Sequence, residues 1–446
     1  MRANTQQKLA IKTILGPVLI IAGPGTGKTY TLVERVVYLI KQCRIEPEKL
    51  FIATFTEKAA KELITRISNR LVEERISVNL QDMYVGTFHS LCLKILKDNI
   101  DLTDLHKNFK VLDSFDQQYF VYRNYWNSFK HIPHITELIN PYHQNNNIWK
   151  QSGIICNLIN NLCEELIDAN TLLSDKDPNI QTLGLVTKKY EELLDSYNYL
   201  DFPHIQTKAF HVLKNNKTVL KKLQGQLLYF MVDEYQDTNY IQEQFIFLLA
   251  GKNKNICVVG DDDQGLYRFR GATIENILRF PQKCGKSKKC SIIKLETNYR
   301  SNSEIVDFYN TWMKETKEFK WGKKYRHQKV IRAYKKTKLS TPAVIKIDAN
   351  NPNEWNENVL SFVRKLKRTG KLENLNQIAF LFSSVRNDSV KKLADFLERN
   401  GIKVYAPRSA MFFHRNEIKL AIGCFCLMFP NYVENLDKVL KKKWCH

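Results

Sequence analysis

The stretch "VLIIAGPGTGKTYTL", Val18 to Leu32, restricts the fold more than any other part of this chain. Five apolar residues suited to a buried strand lead into a glycine-rich turn, which leads into the helix-like "TLVERVVYLI". The turn fits G-x-x-x-x-G-K-S/T with Gly23, Pro24, Gly25, Thr26, Gly27, Lys28 and Thr29. Glycines let backbone N–H groups converge on phosphate oxygens, and a helix N-terminus adds a favourable dipole. Lys28 is expected to reach the β- and γ-phosphates, and the Thr29 hydroxyl to ligate Mg²⁺. A glycine turn without a ligand is the alternative, and the placement between strand and helix argues against it.

Other short apolar runs read as buried parallel strands: "LFIAT" (Leu50–Thr54), "LYFMV" (Leu228–Val232), "ICVVG" (Ile256–Gly260), "SIIKL" (Ser291–Leu295) and "IAFLF" (Ile378–Phe382). Most precede helix-like segments, which implies an α/β fold with ligands at the carboxyl ends of the strands. From about Ile100 to Asn198 strand-like runs give way to helical periodicity, as in "IICNLINNLCEELI", so a helical insertion is expected there. The α/β pattern resumes at Leu227, and a second α/β unit is expected from Ile292. No run of about twenty apolar residues occurs, so no membrane span is expected. The 10 cysteines lack zinc-site spacing and read as reduced thiols of a cytoplasmic protein.

"LLYFMVDEYQDTN" places Asp233 and Glu234 at the end of a strand. An acid at the tip of a neighbouring strand can hold the second shell of Mg²⁺, and the next can polarise the attacking water. "GDDDQGLYRFRGA" also follows a strand. Asp261, Asp262 and Asp263 lack the alternating oxygens of a calcium loop and read as turn and capping groups. Gln264, neutral and bidentate, suits a sensor of the γ-phosphate or the attacking water. Beyond it, Tyr267 and Phe269 offer π-faces to an unstacked base and Arg270 a fork to phosphate, with core packing the alternative for the two rings. "ATFTEKAAKEL" and "YVGTFHSLCLKIL" share one layout, a strand, a Thr-Phe tip and a helix. They present Phe55 and Phe88, with Thr54, Thr56, Thr87 and His89 as hydrogen-bonding groups for phosphate and base. A satisfied buried histidine is the alternative for His89.

Charge bears on the partner. Lys+Arg 68 against Asp+Glu 46 gives +22, which suits a polyanion or a solvated lysine-rich surface. "KETKEFKWGKKYRHQKVIRAYKKTK" is the most basic stretch and is expected to be exposed.

Taken in order, these segments resemble the UvrD/Rep/PcrA family of superfamily 1 DNA helicases. "NTQQ" with Gln7 resembles the adenine-reading Q motif, "AGPGTGKT" motif I, "TFTEKAAKEL" motif Ia and "GTFHSL" motif Ib. "LDFPHI" resembles the motif closing the helical insertion, "VDEYQDTN" motif II, "VGDDDQGLYRFRGA" motif III and "LETNYRS" motif IV. The resemblance implies a RecA-like P-loop motor domain (1–98 and 205–281), a helical insertion (99–204), part of a second RecA-like domain (282–429) and the start of a further insertion (430–446). It implies Glu234 as general base, Arg300 reaching the γ-phosphate, Tyr299 stacking on adenine, and Gln264 coupling the γ-phosphate to a DNA-facing loop. Phe55, His89, Tyr267 and Phe269 would line a single-strand track. Phe269 stands where the family usually has tryptophan, and Tyr30 where relatives often have arginine. Nothing like "HxxKGLEF" or "VAxTRA" is found, so the chain is expected to stop short of motifs V and VI. The implied activity is ATP- and Mg²⁺-dependent movement on single-stranded DNA, 3′→5′, with duplex unwinding in repair or replication. The alternative is a catalytically weak ATP- and DNA-binding subunit that works with a nuclease or a defence or repair complex.

Overall fold

A computed structural model describes residues 3–139, 147–252, 254–265, 273–285, 289–314, 326–335, 342–385, 387–405 and 416–429. Two compact units divide the chain, Met1–Ala343 and Val344–His446.

The first unit is built on six parallel strands: β1 (Val18–Ala22), β2 (Leu50–Thr54), β3 (Tyr84–Thr87), β6 (Tyr229–Val232), β7 (Ile256–Gly260) and β8 (Ser291–Leu295). Their order across the sheet is β3-β2-β6-β7-β1-β8. Continuous apolar runs pair here because both sheet faces are covered by helices. Along β1 and β2, Leu19, Ile21, Phe51 and Ala53 point into one core, and Val18, Ile20, Leu50 and Ile52 into the other. The second core is closed by α1 (Thr5–Lys12), α2 (Lys28–Lys41) and α3 (Glu57–Glu73). The first is closed by α4 (Phe88–Asp98), α10 (Phe202–Asn215), α12 (Tyr240–Ala250) and α13 (Glu275–Lys283). The strand "SIIKL" joins this sheet beside β1, where its alternate residues Ile293 and Leu295 are buried.

Between α4 and α10 lies the helical region, with α5 (Ser114–Asn124), α6 (Ile135–Ile139), α7 (Ile148–Glu164), α8 (Ala169–Leu173) and α9 (Pro178–Ser196). It has a core of its own around Phe120, Phe129, Ile155, Ile159, Val186 and Tyr190. Two three-residue strands, β4 (Lys110–Leu112) and β5 (Tyr199–Asp201), pair in parallel within it. At three residues each, they carry no periodicity a sequence could display.

Asp201 ties this region to α10. Its carboxylate accepts from Tyr190 Oη at 2.6 Å, Gln117 Nε2 at 2.8 Å and the His204 backbone N–H at 2.9 Å, and lies 2.7 Å from His204 Nδ1. Burial disfavours an ionised pair, yet Asp201 and Cys163 hold the His204 ring well above its ordinary value. The same contacts hold Asp201 below its own.

α11 (Lys217–Gln226) leads from α10 to β6, and beyond β8 the first unit continues through β9 (Thr297–Asn298), α14 (Ser303–Trp312) and β10 (Arg332–Ala333), with β9 and β10 paired in parallel. In the second unit, α15 (Pro352–Arg368) and α16 (Asp388–Arg399) pack through Leu360, Leu393 and Leu397, and α17 is Asn416–Met428. The expected strand "IAFLF" does not form: residues 378–382 have no strand partner among the described residues, and Leu381 is 91% exposed. A run of apolar residues becomes a buried strand only where neighbours supply the ladder and cover both faces.

Candidate functional site: a phosphate cradle beside a groove

The loop after β1 turns on glycines. Gly25 (φ 68°) and Gly27 (φ 83°) are left-handed. A Cβ on Gly27 would lie 2.9 Å from Gln7 Nε2, and one on Gly25 2.7 Å from Asn298 Nδ2. Three loop carbonyls are held by donors of the protein: Pro24 O by Asn298 Nδ2 (2.8 Å), Gly25 O by Tyr299 N (2.9 Å) and Thr26 O by Gln7 Nε2 (3.1 Å). Thr26 also folds its hydroxyl back to Gly23 O at 2.7 Å. With its carbonyls engaged, the loop suits an anion at its amides and at the start of α2.

Facing the loop is the tip of β6. The sequence placed this tip on a strand next to β1, but β7 lies between them. The distance is closed by side chains: Lys28 Nζ meets Glu234 Oε2 at 2.6 Å, and Gln236 Nε2 donates to the same oxygen at 2.9 Å. Glu234 takes a left-handed backbone (φ 49°), which for a non-glycine residue is a strained conformation of the kind found at functional sites. Asp233 is nearly buried, and burial, then the Glu234 charge, pushes its carboxyl up to about 6. A divalent cation beside it would favour the ionised form. Thr29 and Asp233 offer only oxygen, the donor type Mg²⁺ takes. Glycine cradle, lysine and oxygen donors together fit Mg·ATP.

A further cluster beside the phosphate loop is assembled from α1 and the chain after β8. Asn4 caps α1 by accepting from Gln7 N (2.8 Å), and Gln7 returns the bond by accepting from Asn4 N (3.0 Å). Asn4 Nδ2 donates to Tyr299 Oη at 2.8 Å, and the Tyr299 ring lies 4.9 Å from that of Tyr334. Gln7 therefore braces the phosphate loop. Arg300 is exposed, and its Cβ would stand 2.9 Å from a Cβ on Gly25. Sequence reasoning missed Tyr334, which lies in a lysine-rich stretch read only for its charge.

At the tip of β7, Asp261 accepts from Asp263 N (3.2 Å), and Gln264 Nε2 donates to Asp261 Oδ2 at 2.5 Å. The three aspartates converge, and the ammonium of Lys329 fills the space between them, 2.7 Å from Asp261, 3.1 Å from Asp263 and in contact with Asp262. Arg326 grips Asp263 with two bonds of 2.7 and 3.0 Å. The aspartates thus cap the turn and also bury a lysine, a partner no local pattern announced. The segment carrying Lys329 also covers the phosphate loop: a Cβ on Gly23 would lie 2.1 Å from Ile331 Cδ1.

The second half of the site is a groove. Phe55 is half-buried at the tip of β2, and exposed Thr56 caps α3 by accepting from Ala59 N. Thr87 caps α4, accepting from Ser90 N (3.2 Å) and donating to Glu57 Oε1 (2.7 Å), so its hydroxyl already serves the fold. His89 Nε2 meets Gln206 Nε2 at 2.8 Å, and burial pushes the imidazole down to about 4, so the ring is neutral. His89 is thus a partnered histidine, yet one on the wall of the groove. Phe202, the aromatic of "LDFPHI", is 43% exposed and stands edge-on to His89 at 5.5 Å. Its solvent-facing ring is a site feature that the sequence did not single out. Tyr267, Phe269 and Arg270 lie outside the described residues.

Comparison with known proteins decides the family. The UvrD/REP helicase N-terminal domain matches residues 3–285, and the UvrD-like helicase C-terminal domain matches residues 293–442. The chain belongs to the UvrD/REP helicase family. Its similarity to the ATP-dependent DNA helicase PcrA of Staphylococcus epidermidis is 30% identity over 424 residues, 93% of this chain and 52% of that protein. Against the ATP-dependent DNA helicase Rep of Buchnera aphidicola it is 31% over 419 residues, 94% of this chain and 60% of that protein. Against PcrA of Staphylococcus aureus it is 34% over 321 residues, 71% and 40%. The chain thus spans about half the length of these relatives. The UvrD/REP N-terminal match takes in the phosphate cradle, the helical region and the groove, all within Met1–Ala343. No described helix is long and apolar enough to cross a membrane.

Proposed function

We propose that this protein is an ATP- and Mg²⁺-dependent translocase on single-stranded DNA that unwinds duplex, 3′→5′ by family resemblance, in DNA repair or replication. One observation carries the reading. Asp233 and Glu234 face the phosphate cradle, while Asp237 and Asn239, a few residues on, line the groove of Phe55 and His89. A single short segment therefore forms a wall of both sites, so a change at the triphosphate is felt where the strand lies.

The chemistry follows from the groups present. Lys28, Arg300 and the amides at the start of α2 would hold the triphosphate, with Thr29 and Asp233 holding Mg²⁺, which supplies charge neutralisation of the phosphates. Binding of a phosphate by Lys28 separates it from Glu234, freeing that carboxylate to accept a proton from water. Gln264, tethered to Asp261, would couple the γ-phosphate to the DNA-facing loop. Tyr299 would stack on the adenine beside Gln7. On the groove side, Phe55, Thr56, His89 and Phe202 would contact the strand, together with Tyr267, Phe269 and Arg270.

The test is ATP hydrolysis by the purified chain with and without single-stranded DNA. Stimulation by DNA is expected, with activity abolished in Lys28→Ala and reduced about 10²–10⁴-fold in Glu234→Gln. ATP and DNA binding without turnover in the wild-type chain would instead support the alternative, a binding subunit that works beside a nuclease.

A further inference from the structure

Gln236 stands in the short turn that follows β6, two residues past Glu234, and is 2% exposed. Its carboxamide reaches across to the tip of the neighbouring strand β7, where Oε1 accepts from Asp261 N at 2.9 Å. A backbone N–H can only donate, so this bond settles which end of the amide is oxygen. Gly260 leaves the room for it: a Cβ there would stand 2.5 Å from Gln236 Oε1. The amine end then faces two carboxylates, Glu234 Oε2 at 2.9 Å and Asp237 Oδ2 at 3.3 Å. With its oxygen and both amine hydrogens engaged, the carboxamide has one orientation.

Glu234 is held by much less. Among the described residues, the side chains that bond its carboxylate are Lys28 and Gln236, both at Oε2. A triphosphate that draws Lys28 away leaves the bond from Gln236. A general base works only within hydrogen-bond reach of the proton it takes, and a glutamate without an anchor spreads over several rotamers. The anchor also leads onward. Asp261, whose N–H holds Gln236, accepts from Gln264 Nε2 through its own carboxylate at 2.5 Å. One carboxamide therefore joins the base at the tip of β6 to the glutamine at the tip of β7.

We propose that Gln236 is a positioning residue for ATP hydrolysis. It holds Glu234 Oε2 from the β7 side and leaves Oε1 for the attacking water. As the water oxygen bonds to the γ-phosphorus, the bond from that phosphorus to the bridging oxygen of ADP breaks and the water's proton passes to Glu234. Gln236 exchanges no proton; it fixes where the acceptor stands and ties it to the anchor of Gln264. The inference rests on the ATPase reading above, and adds a residue to it.

Steady-state ATP hydrolysis by the whole chain with saturating oligo-dT tests it. Gln236→Met keeps the length of the side chain and loses the donor. The expected result is kcat lowered about 10–100-fold, the cost of a misplaced reacting group, with KM for ATP changed by less than about twofold. Gly260→Ala reaches the same carboxamide from behind, because Gln236 Oε1 is the nearest atom its methyl meets. It should lower kcat about tenfold in the wild type and less than about twofold in the Gln236→Met background, since two changes that act through one contact do not add. Wild-type kcat in either single variant, a rise in KM with kcat unchanged, or a Gly260→Ala loss of equal size in both backgrounds would overturn the assignment while the ATPase reading stands. A wild-type chain that hydrolyses no ATP would overturn that reading and this one with it.

Discussion

Lys329 shows how much one side chain can hold. It is 6% exposed, and its ammonium contacts three carboxylates of which Asp261 and Asp262 are buried. Burial works against the charge on both sides, and the pairing outweighs it for Lys329, which is held above its ordinary value. Removing the cation leaves like charges buried together, which costs about 3–5 kcal/mol when a buried pair is broken. Lys329→Met should therefore lower the unfolding free energy of the first unit by that order, read as a lower urea midpoint. It should also loosen Gln264, whose anchor Asp261 loses its partner. An unchanged midpoint would mean that the aspartates are satisfied by neighbours such as Arg326 alone. None of this was legible from the sequence. The three aspartates were visible as turn groups, but Lys329 lies 66 residues beyond Asp263 in a run of lysines that reads as solvated surface. The phosphate loop was legible because glycine, lysine and threonine must be adjacent to do their work, so the chemistry is written in one place. Phe202 carries no such mark in the sequence, because an aromatic residue's exposure is a tertiary property.

At the scale of elements, the parallel strands were readable because both faces are buried, and a continuous apolar run is the direct imprint of that. "IAFLF" carries the same imprint without the sheet, so the imprint is necessary and not sufficient. The paired β4 and β5 went unseen at three residues each, and with them the junction at Asp201. That junction gives a pH signature. His204 is raised in the folded state, so its contribution is full below its unfolded value near 6.5 and is lost as pH rises through the folded value. Asp201 is lowered, so its contribution is full above its unfolded value near 3.8 and is lost as pH falls through the folded value. Between about pH 4 and 6.5 both contributions are complete. Stability of the helical region should thus decline on the alkaline side, and His204→Gln should flatten that decline. Hydrogen exchange of α9 and α10 amides across pH 5 to 9, corrected for intrinsic rates, measures it; a parallel decline in wild type and variant would remove the pair as its source.

For the molecule as a whole, +22 leaves open whether the charge grips a backbone or merely solvates the surface. The most basic stretch lies mainly outside the described residues, and the cavity beside Phe55 has no cation among its described lining. If the charge grips the backbone of a bound strand, affinity for that strand should fall with salt. Counterion release makes log K fall with log salt at about −0.7 per phosphate contacted on a single strand, whatever the net charge. With roughly four such contacts the slope is about −3, so oligo-dT affinity should drop about fifty-fold between 50 and 200 mM salt. Titration of oligo-dT at four salt concentrations gives the slope directly. A slope near zero would assign the charge to solvation, whereas a slope near −3 would assign about four lysines or arginines to the strand's phosphates.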